Sequence, residues 1–218
     1  MSYQMIHLEI AYKLLEHFEW IGNRGDFLLG AIAPDAVHFH DGYHVSLKEK
    51  SHLWNCGPQW GITLESDKWK SNVSEFWNTH KRDKNKDFIA GYCVHILTDR
   101  MNDLKIWTPF RDANMENENV EQIYHIYGQE AYGSDQWLYR NSSDSGNIMN
   151  LLKEGSAYSV EGCILKEDIE KQKQHILHKQ YADQKEWDIS DYRYCTEEVM
   201  LSFVEESVRL LREMLTEV

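Results

Sequence analysis

Apolar residues recur every three to four positions along most of the chain. This spacing predicts helices, whereas the alternation typical of strands is weak or absent. The first helix is predicted over residues 3–20, where one arc of the helical wheel is apolar and the opposite face is charged. The apolar arc holds Ile6, Ile10, Ala11, Leu14, Leu15 and Phe18, and the polar face holds Glu9, Lys13 and Glu16. The pattern therefore predicts an all-α fold.

The same spacing predicts further helices at about 64–80, 86–105, 117–128, 164–184 and 197–217. Thr196 is a candidate N-cap of the last helix, because the two glutamates after it suit the positive end of a helix dipole. The short apolar segment F-L-L-G-A-I-A should end as a helix before Pro34. Residues 36–62 and 133–160 are rich in turn-forming residues and are predicted to be irregular.

Length and composition suit a single domain over residues 1–218, arranged as a multi-helix bundle. The apolar fraction of 42% is enough for a core. Mean hydropathy is −0.63, and no apolar run approaches the ~20 residues of a membrane helix. The N-terminal residues lack a basic segment followed by an apolar one, so we expect no signal peptide and a cytoplasmic protein. The four cysteines are widely spaced, so we expect free thiols.

The formal net charge of −13 limits the partners of the chain. A field of this sign repels phosphate backbones and anionic bilayers, so bulk nucleic acid is disfavoured as a partner. A small anionic substrate is compatible with the charge if metal cations supply local positive charge. No basic residue stands out as an electrostatic clamp, and we expect Lys48, Lys50 and Arg100 to lie on the solvated surface. The sequence leaves the oligomeric state open.

His95 and Asp99 are polar residues within the otherwise apolar run A-G-Y-C-V-H-I-L-T-D-R-M-N of residues 90–102. They are four residues apart, so their side chains share one face of a helix. Each costs free energy in such a place unless it is paired or bound to something. His7 repeats the anomaly in the middle of the first apolar arc. Inward histidines and carboxylates on facing helices are how bundles build metal sites.

A third group of candidate ligands lies between residues 35 and 52. It comprises His38, His40, His44 and His52, together with Asp35 and Asp41. Imidazole and carboxylate ligands together favour zinc or another first-row divalent metal over calcium or magnesium. Simpler interpretations exist for each feature alone: a core histidine bonded to a carbonyl, a buried His–Asp hydrogen bond, and a solvated loop. The coincidence of three segments favours a metal site.

Four short motifs together suggest a family. They are I-H-L-E-I-A (6–11), F-L-L-G-A-I-A-P-D (27–35), K-S-H-L-W (50–54) and G-Y-C-V-H-I-L-T-D (91–99). In this order they resemble the zinc-dependent phospholipase C family, whose wider relatives include the fungal single-strand nucleases. The resemblance covers about the first 140 residues. It implies an all-α fold with one to three zinc ions in a cleft between helices.

The resemblance also implies site residues by position. One ion would be held by Asp35, His52, His95 and Asp99, and a neighbouring ion by His7 together with Asp99, which would bridge the two ions. Asp35 is the candidate catalytic base or water-orienting residue. The segment Y-G-Q-E-A-Y-G-S-D-Q-W-L-Y (127–139) resembles a stretch of intracellular bacterial members of the family. It suggests an additional metal or substrate site that would draw on His125, Glu130 and Asp135.

The leading hypothesis is a metal-dependent phosphoester hydrolase that cleaves a phosphodiester or phospholipid-like substrate with metal-activated water. An apolar approach surface for a lipid, or else core packing, would account for the tryptophans Trp54, Trp60, Trp69 and Trp77. The alternative is a non-catalytic helical domain that the metal stabilises. A phosphohydrolase of the helical HD type is disfavoured, because the only adjacent His-Asp pair, His40-Asp41, lies in a glycine-containing loop.

Overall fold

The computed structural model describes residues 3–114, 120–183 and 185–216, and among these residues there is no β-strand. Their ten α-helices are α1 (Gln4–Leu14), α2 (Arg24–Gly30), α3 (Val45–Ser51), α4 (Ser66–His80), α5 (Lys86–Asn102), α6 (Thr108–Asn114), α7 (Val120–Asn141), α8 (Ser145–Glu154), α9 (Lys166–His175) and α10 (Glu197–Thr216). A 3-10 helix spans Ala33–Phe39, and π-helical turns span Asp103–Trp107 and Ile176–Gln180. The all-α prediction is confirmed.

Several predicted helices are confirmed with small differences at their ends. Helices α4, α5 and α10 match three of them closely. Thr196 caps α10, since its hydroxyl accepts a hydrogen bond from the Val199 backbone N–H at 3.3 Å. The first helix ends at Leu14 instead of residue 20. Glu9, predicted on the polar face of that helix, is buried and accepts a hydrogen bond from the Ser142 hydroxyl at 2.8 Å.

Of the two segments predicted to be irregular, residues 36–62 are mostly non-helical as predicted, whereas residues 133–160 are largely helical. Residues 36–62 contain α3 and most of the 3-10 helix, while residues 133–160 contain the end of α7 and all of α8. The prediction for the second segment was wrong because its glycines were taken as breaks. At Gly133 an added Cβ would lie 1.9 Å from the Tyr192 hydroxyl oxygen. This glycine makes room for a tyrosine against α7 rather than ending the helix.

Helix α5 lies at the centre of the fold, and 15 of its 17 residues are buried. It crosses α2 at backbone contact. An added Cβ at Gly91 would lie 1.9 Å from the Phe27 carbonyl oxygen, and one at Gly30 would lie 2.0 Å from that of Phe88. Only glycine allows this approach, which brings the last turn of α2 beside the middle of α5.

The remaining features of the fold agree with the composition. Buried apolar side chains form one hydrophobic cluster that draws on residues from α1 to α10. All four cysteines are free, as the sequence predicts. In the part of the chain that the structure describes, no helix is both long and apolar enough to cross a membrane.

Candidate metal centre

Five buried polar side chains meet where α1, the 3-10 helix, the end of α3 and α5 converge. They are His7, Asp35, His52, His95 and Asp99, and each is at most 6% exposed. His52 Nε2 lies 3.4 Å from both Asp35 Oδ1 and Asp99 Oδ2. His95 Nε2 lies 3.9 Å from Asp35 Oδ2 and 4.0 Å from Asp99 Oδ2. The structure therefore brings together all five residues that the resemblance assigns as ligands, and we call them the metal cluster.

Backbone carbonyl groups orient two of the imidazoles. His95 Nδ1 lies 2.8 Å from the Ala31 carbonyl oxygen, and His52 Nδ1 lies 3.0 Å from the Lys48 carbonyl oxygen. A carbonyl oxygen can only accept, so each Nδ1 carries the hydrogen and donates it. The Nε2 lone pairs then face into the cluster. Hydrogen bonds of this kind typically fix the orientation and tautomer of metal-binding histidines.

The two Nε2 atoms lie 3.3 Å apart. Burial lowers the pKa of His95 to about 3, so this ring is neutral near pH 7. Two lone pairs at this distance repel unless a proton or a metal cation lies between them. Burial alone would raise the pKa of Asp99, but its hydrogen-bond contacts with His52 and His7 hold that pKa well below its usual value.

The spacing of these donor atoms fits a zinc ion. Tetrahedral zinc with bonds of about 2.0–2.1 Å separates its ligand atoms by about 3.3–3.4 Å. The four shortest separations between donor atoms of different residues in the cluster are one of 3.3 Å and three of 3.4 Å. Two imidazole nitrogens and two carboxylates are also a donor set that suits zinc and related first-row ions. The residues present therefore fit the predicted cofactor.

His7 completes the cluster from α1. Its Nε2 lies 3.4 Å from Asp99 Oδ1, and its ring stacks on His95 with centroids 3.8 Å apart. Within the described part of the chain, His7 Nδ1 has no hydrogen-bond partner although it is fully buried. A buried polar atom left in this state costs free energy. The observation fits a histidine placed for a ligand role rather than a core histidine bonded to a carbonyl.

Lys48 is buried beside the cluster, so the expectation that it lies on the solvated surface was wrong. Its ammonium donates a hydrogen bond to Asp35 Oδ1 at 2.9 Å and lies 3.3 Å from His38 Nε2. It also lies 5.3 Å from the centre of the Trp60 ring. Burial would lower the pKa of Lys48, but the charges of Asp35 and Asp99 outweigh it and raise the pKa. Lys48 is therefore a cation near neutral pH.

The ammonium of Lys48 in turn keeps Asp35 ionised. Burial alone would raise the pKa of Asp35, but the charge of Lys48 holds it well below its usual value. The Lys48–Asp35 pair could not be predicted from the sequence, because residues 36–62 show no clear helical pattern that would place Lys48 on a buried face. Lys50 is exposed as expected. Arg100 is partly buried and donates to the Ser66 carbonyl oxygen.

A narrow aromatic cavity of about 40 Å³ opens beside Asp99. Its walls are Trp54, Trp60, Gly61, Thr63, Trp69, Trp107, Tyr124 and Tyr127, with Asp99 and Asp103 as the carboxylates. Three of the four tryptophans considered for an approach surface line it, whereas Trp77 packs against Trp20. Asp103 follows Asp99 by one helical turn, but it was not among the site residues predicted from the sequence. Burial raises the pKa of Asp103.

The three residues suggested for an additional site have other partners or lie on the surface. Asp135 accepts a hydrogen bond from the Met5 backbone N–H at 2.7 Å and another from the Tyr181 hydroxyl at 2.8 Å. Glu130 accepts hydrogen bonds from three consecutive backbone N–H groups before α10, at 2.8–3.1 Å. His125 is exposed on α7. None of the three belongs to a described group of side chains spaced to hold an ion.

The other loop histidines have separate partners. His40 Nδ1 lies 2.7 Å from Asp168 Oδ2 and not against its sequence neighbour Asp41, which is exposed. His44 Nδ1 accepts the backbone N–H of the second residue of α3 at 3.3 Å and so caps that helix. His38 contacts Lys48. Of the four histidines in this loop, His52 is the one whose ring enters the metal cluster.

Comparisons of the chain with protein-family models, with curated proteins and with solved structures found no match. The resemblance to the zinc-dependent phospholipases C therefore depends on the short motifs alone. The donor atoms described above could hold a metal ion whether or not the chain belongs to that family.

Proposed function

We propose that the chain is a metal-dependent phosphoester hydrolase, with zinc or another first-row dication held by Asp35, His52, His95 and Asp99. The observation that carries the proposal is the facing pair of imidazole Nε2 atoms, 3.3 Å apart, with two carboxylates within 3.4 Å of one of them. The charges agree, because two ionised carboxylates buried together attract a cation.

The ion would polarise a phosphoryl oxygen and make a bound water more acidic. The chain's own contribution centres on Asp35. Lys48 donates to Asp35 Oδ1, and the Gln4 side-chain amide donates to Asp35 Oδ2 at 3.2 Å. These two bonds fix the plane of an ionised carboxylate, which can then orient a water or accept its proton. Asp35 is thus proposed both as a ligand and as the residue that manages the proton.

The cavity favours a small substrate. Its volume of about 40 Å³ holds only a few water molecules. A small phosphodiester, or one end of a phospholipid-like molecule, is therefore the best match. The net charge of −13 opposes bulk nucleic acid as a substrate.

The test combines metal analysis with hydrolysis of bis(p-nitrophenyl) phosphate. We expect the purified chain to contain zinc, to hydrolyse the ester and to lose activity after chelation. Asp99→Asn should lower both zinc content and rate, the rate by at least about 100-fold, because the buried anion is removed. Asp135→Asn is the matched control, a buried aspartate outside the cluster, and should keep both. A chain with no bound metal and no metal-stimulated activity would contradict the proposal.

A second candidate is a non-catalytic metal-stabilised domain, and the number of ligands favours it. Structural zinc sites are closed by four protein ligands, whereas catalytic sites keep a position open. Asp35, His52, His95 and Asp99 could supply four. This candidate predicts that zinc raises the melting temperature while the ester is never turned over. The same hydrolysis experiment separates the two functions.

A further inference from the structure

Lys48 lies where a cation is needed, and the proposed function uses it only to orient Asp35. It projects from α3 into the edge of the metal cluster and is only 6% exposed. Its ammonium contacts Asp35 Oδ1, while its backbone carbonyl accepts the Nδ1 hydrogen of His52. One residue thus binds an oxygen of one proposed ligand, Asp35, and orients another, His52. Burying a lysine is costly unless it is paired, so its position is a specific feature of this site.

The ligands left for a second ion are few. The described chain holds two groups of side chains spaced to bind an ion, His52–His95–Asp99 and His7–Asp35–His95, and both need the Nε2 atom of His95. The ion of the proposed function would take that atom. A second ion would be left with His7 and the other oxygen of Asp99, because Asp35 Oδ1 accepts a hydrogen bond from Lys48 and Asp35 Oδ2 would face the first ion beside His95. Neither Glu130 nor Asp135 supplies a replacement, because both accept hydrogen bonds elsewhere.

A count of charges in direct contact leads to the same result. Asp35 and Asp99 contribute two negative charges, and Lys48 contributes one positive charge. A single dication with neutral histidines makes this set net +1, which suits a monoanionic phosphodiester. A second dication would make it +3 in a buried site, where unbalanced charge is expensive.

We infer that Lys48 is a built-in cation that replaces a second metal ion on Asp35, so that each chain binds one dication. This inference rests on the proposed metal site and concerns its stoichiometry. The ammonium, held on Asp35, would also lie near an ion bound by that carboxylate, where it could meet an anionic oxygen of the substrate. The site would then pair one metal with one lysine instead of two metals.

The experiment measures zinc bound per chain in zinc-saturated, desalted protein by native mass spectrometry. The wild-type chain should bind one zinc. Lys48→Met should bind two, because the vacated carboxylate oxygen and His38 become available to a second ion. Lys48→Arg keeps the charge and should bind one. Lys50→Met is the matched control, since it removes the same charge from an exposed position on the same helix, and should also bind one.

The inference is wrong if the wild-type chain binds two zinc ions or none, or if Lys48→Met still binds one. Circular dichroism establishes that the variants are folded. If Lys48→Met does not fold, the wild-type and Lys48→Arg values still decide the matter, since two ions in either contradict the inference. The two proposals can fail separately: one zinc without ester hydrolysis contradicts the function alone, and hydrolysis with two zinc ions contradicts the role of Lys48 alone.

Discussion

Two regions of the molecule hold polar side chains that are wholly or partly buried, and the two sets have different kinds of partner. On α7, Asp135 and Glu130 receive hydrogen bonds from backbone N–H groups and a tyrosine hydroxyl. In the metal cluster, acceptor atoms face one another: the Nε2 atoms of His52 and His95 lie 3.3 Å apart. The first region is complete without a further atom, whereas the second requires a proton or a metal ion among its acceptors.

This difference shows that burial of a polar side chain does not by itself indicate a metal site. What separates the regions is whether the neighbours are donors or acceptors. Asp135 and Asp99 are both buried aspartates, but the pKa of Asp135 is raised by burial to about 6, whereas that of Asp99 is held well below its usual value. The surroundings of Asp99 favour negative charge, as a cation site requires.

The largest effect should come from removing a ligand from the cluster. We expect His52→Gln to lower zinc affinity by about 1000-fold, more than the 10–100-fold typical of a change outside the ligand shell. Zinc at about 100 times its Kd should stabilise the wild-type chain by about 2.7 kcal/mol. It should not stabilise the variant. Isothermal titration calorimetry and thermal unfolding with and without zinc measure the two effects.

His125→Gln is the matched control, because it makes the same substitution on an exposed histidine of α7. It should leave both zinc affinity and the zinc-dependent rise in melting temperature unchanged. Equal losses in the two variants would mean that the metal cluster is not the zinc site. The contrast between the two regions would then have no functional meaning.

Much of the cluster could be predicted from the sequence, because its anomaly is local. A histidine and an aspartate four residues apart in an apolar helix must each find a hydrogen-bond partner or a ligand inside the fold. The same holds for His7, which lies on the apolar face of the first helix. The bounds of α4 and α10 followed from their periodicity, whereas those of α5 followed from a long, mostly apolar run that is buried on nearly all sides. These features depend on neighbours in the sequence, so the sequence displays them.

The rest depends on partners that are distant in the sequence. The Met5 backbone N–H that Asp135 accepts is 130 residues away, and the N–H groups bound by Glu130 are more than 60 residues away. No sequence motif indicates these distant N–H groups, so both carboxylates were interpreted as possible metal ligands. Lys48 was missed because the segment around it shows no periodicity. Gly133 was interpreted as the end of a helix, because the side chain that it accommodates, Tyr192, is distant in the sequence.

A smaller effect should come from Asp135 and should depend on pH. Its pKa is about 6 in the folded chain against an ordinary value of 3.8, mainly because of burial. The folded state therefore binds the proton more tightly, so the stability that this group contributes is present below about pH 4 and is lost as pH rises through 6. The Asp135→Asn side chain does not titrate, so this loss cannot occur in the variant. Its free energy of unfolding should rise relative to that of the wild type by about 1–3 kcal/mol between pH 4 and pH 7.

Urea denaturation of the two metal-free proteins across this pH range measures the difference. Comparing variant with wild type cancels the titration of the cluster histidines, which both share. A constant difference between them would show that the Asp135 proton does not distinguish folded from unfolded chain. A loss of zinc binding in Asp135→Asn would instead show that the two regions are not independent.

The smallest effect should come from Glu130, which lies partly exposed on α7. Its two carboxylate oxygens accept three backbone N–H groups in the segment before α10. Glu130→Gln keeps one acceptor oxygen and replaces the other with a donor that faces an N–H group, so we expect a loss of about 1 kcal/mol in unfolding free energy. Zinc affinity should stay the same, since the hydrogen bonds of Glu130 are to backbone N–H groups outside the cluster. Urea denaturation and calorimetry on the same sample test both statements, and a fall in zinc affinity together with unchanged stability would make Glu130 a ligand after all.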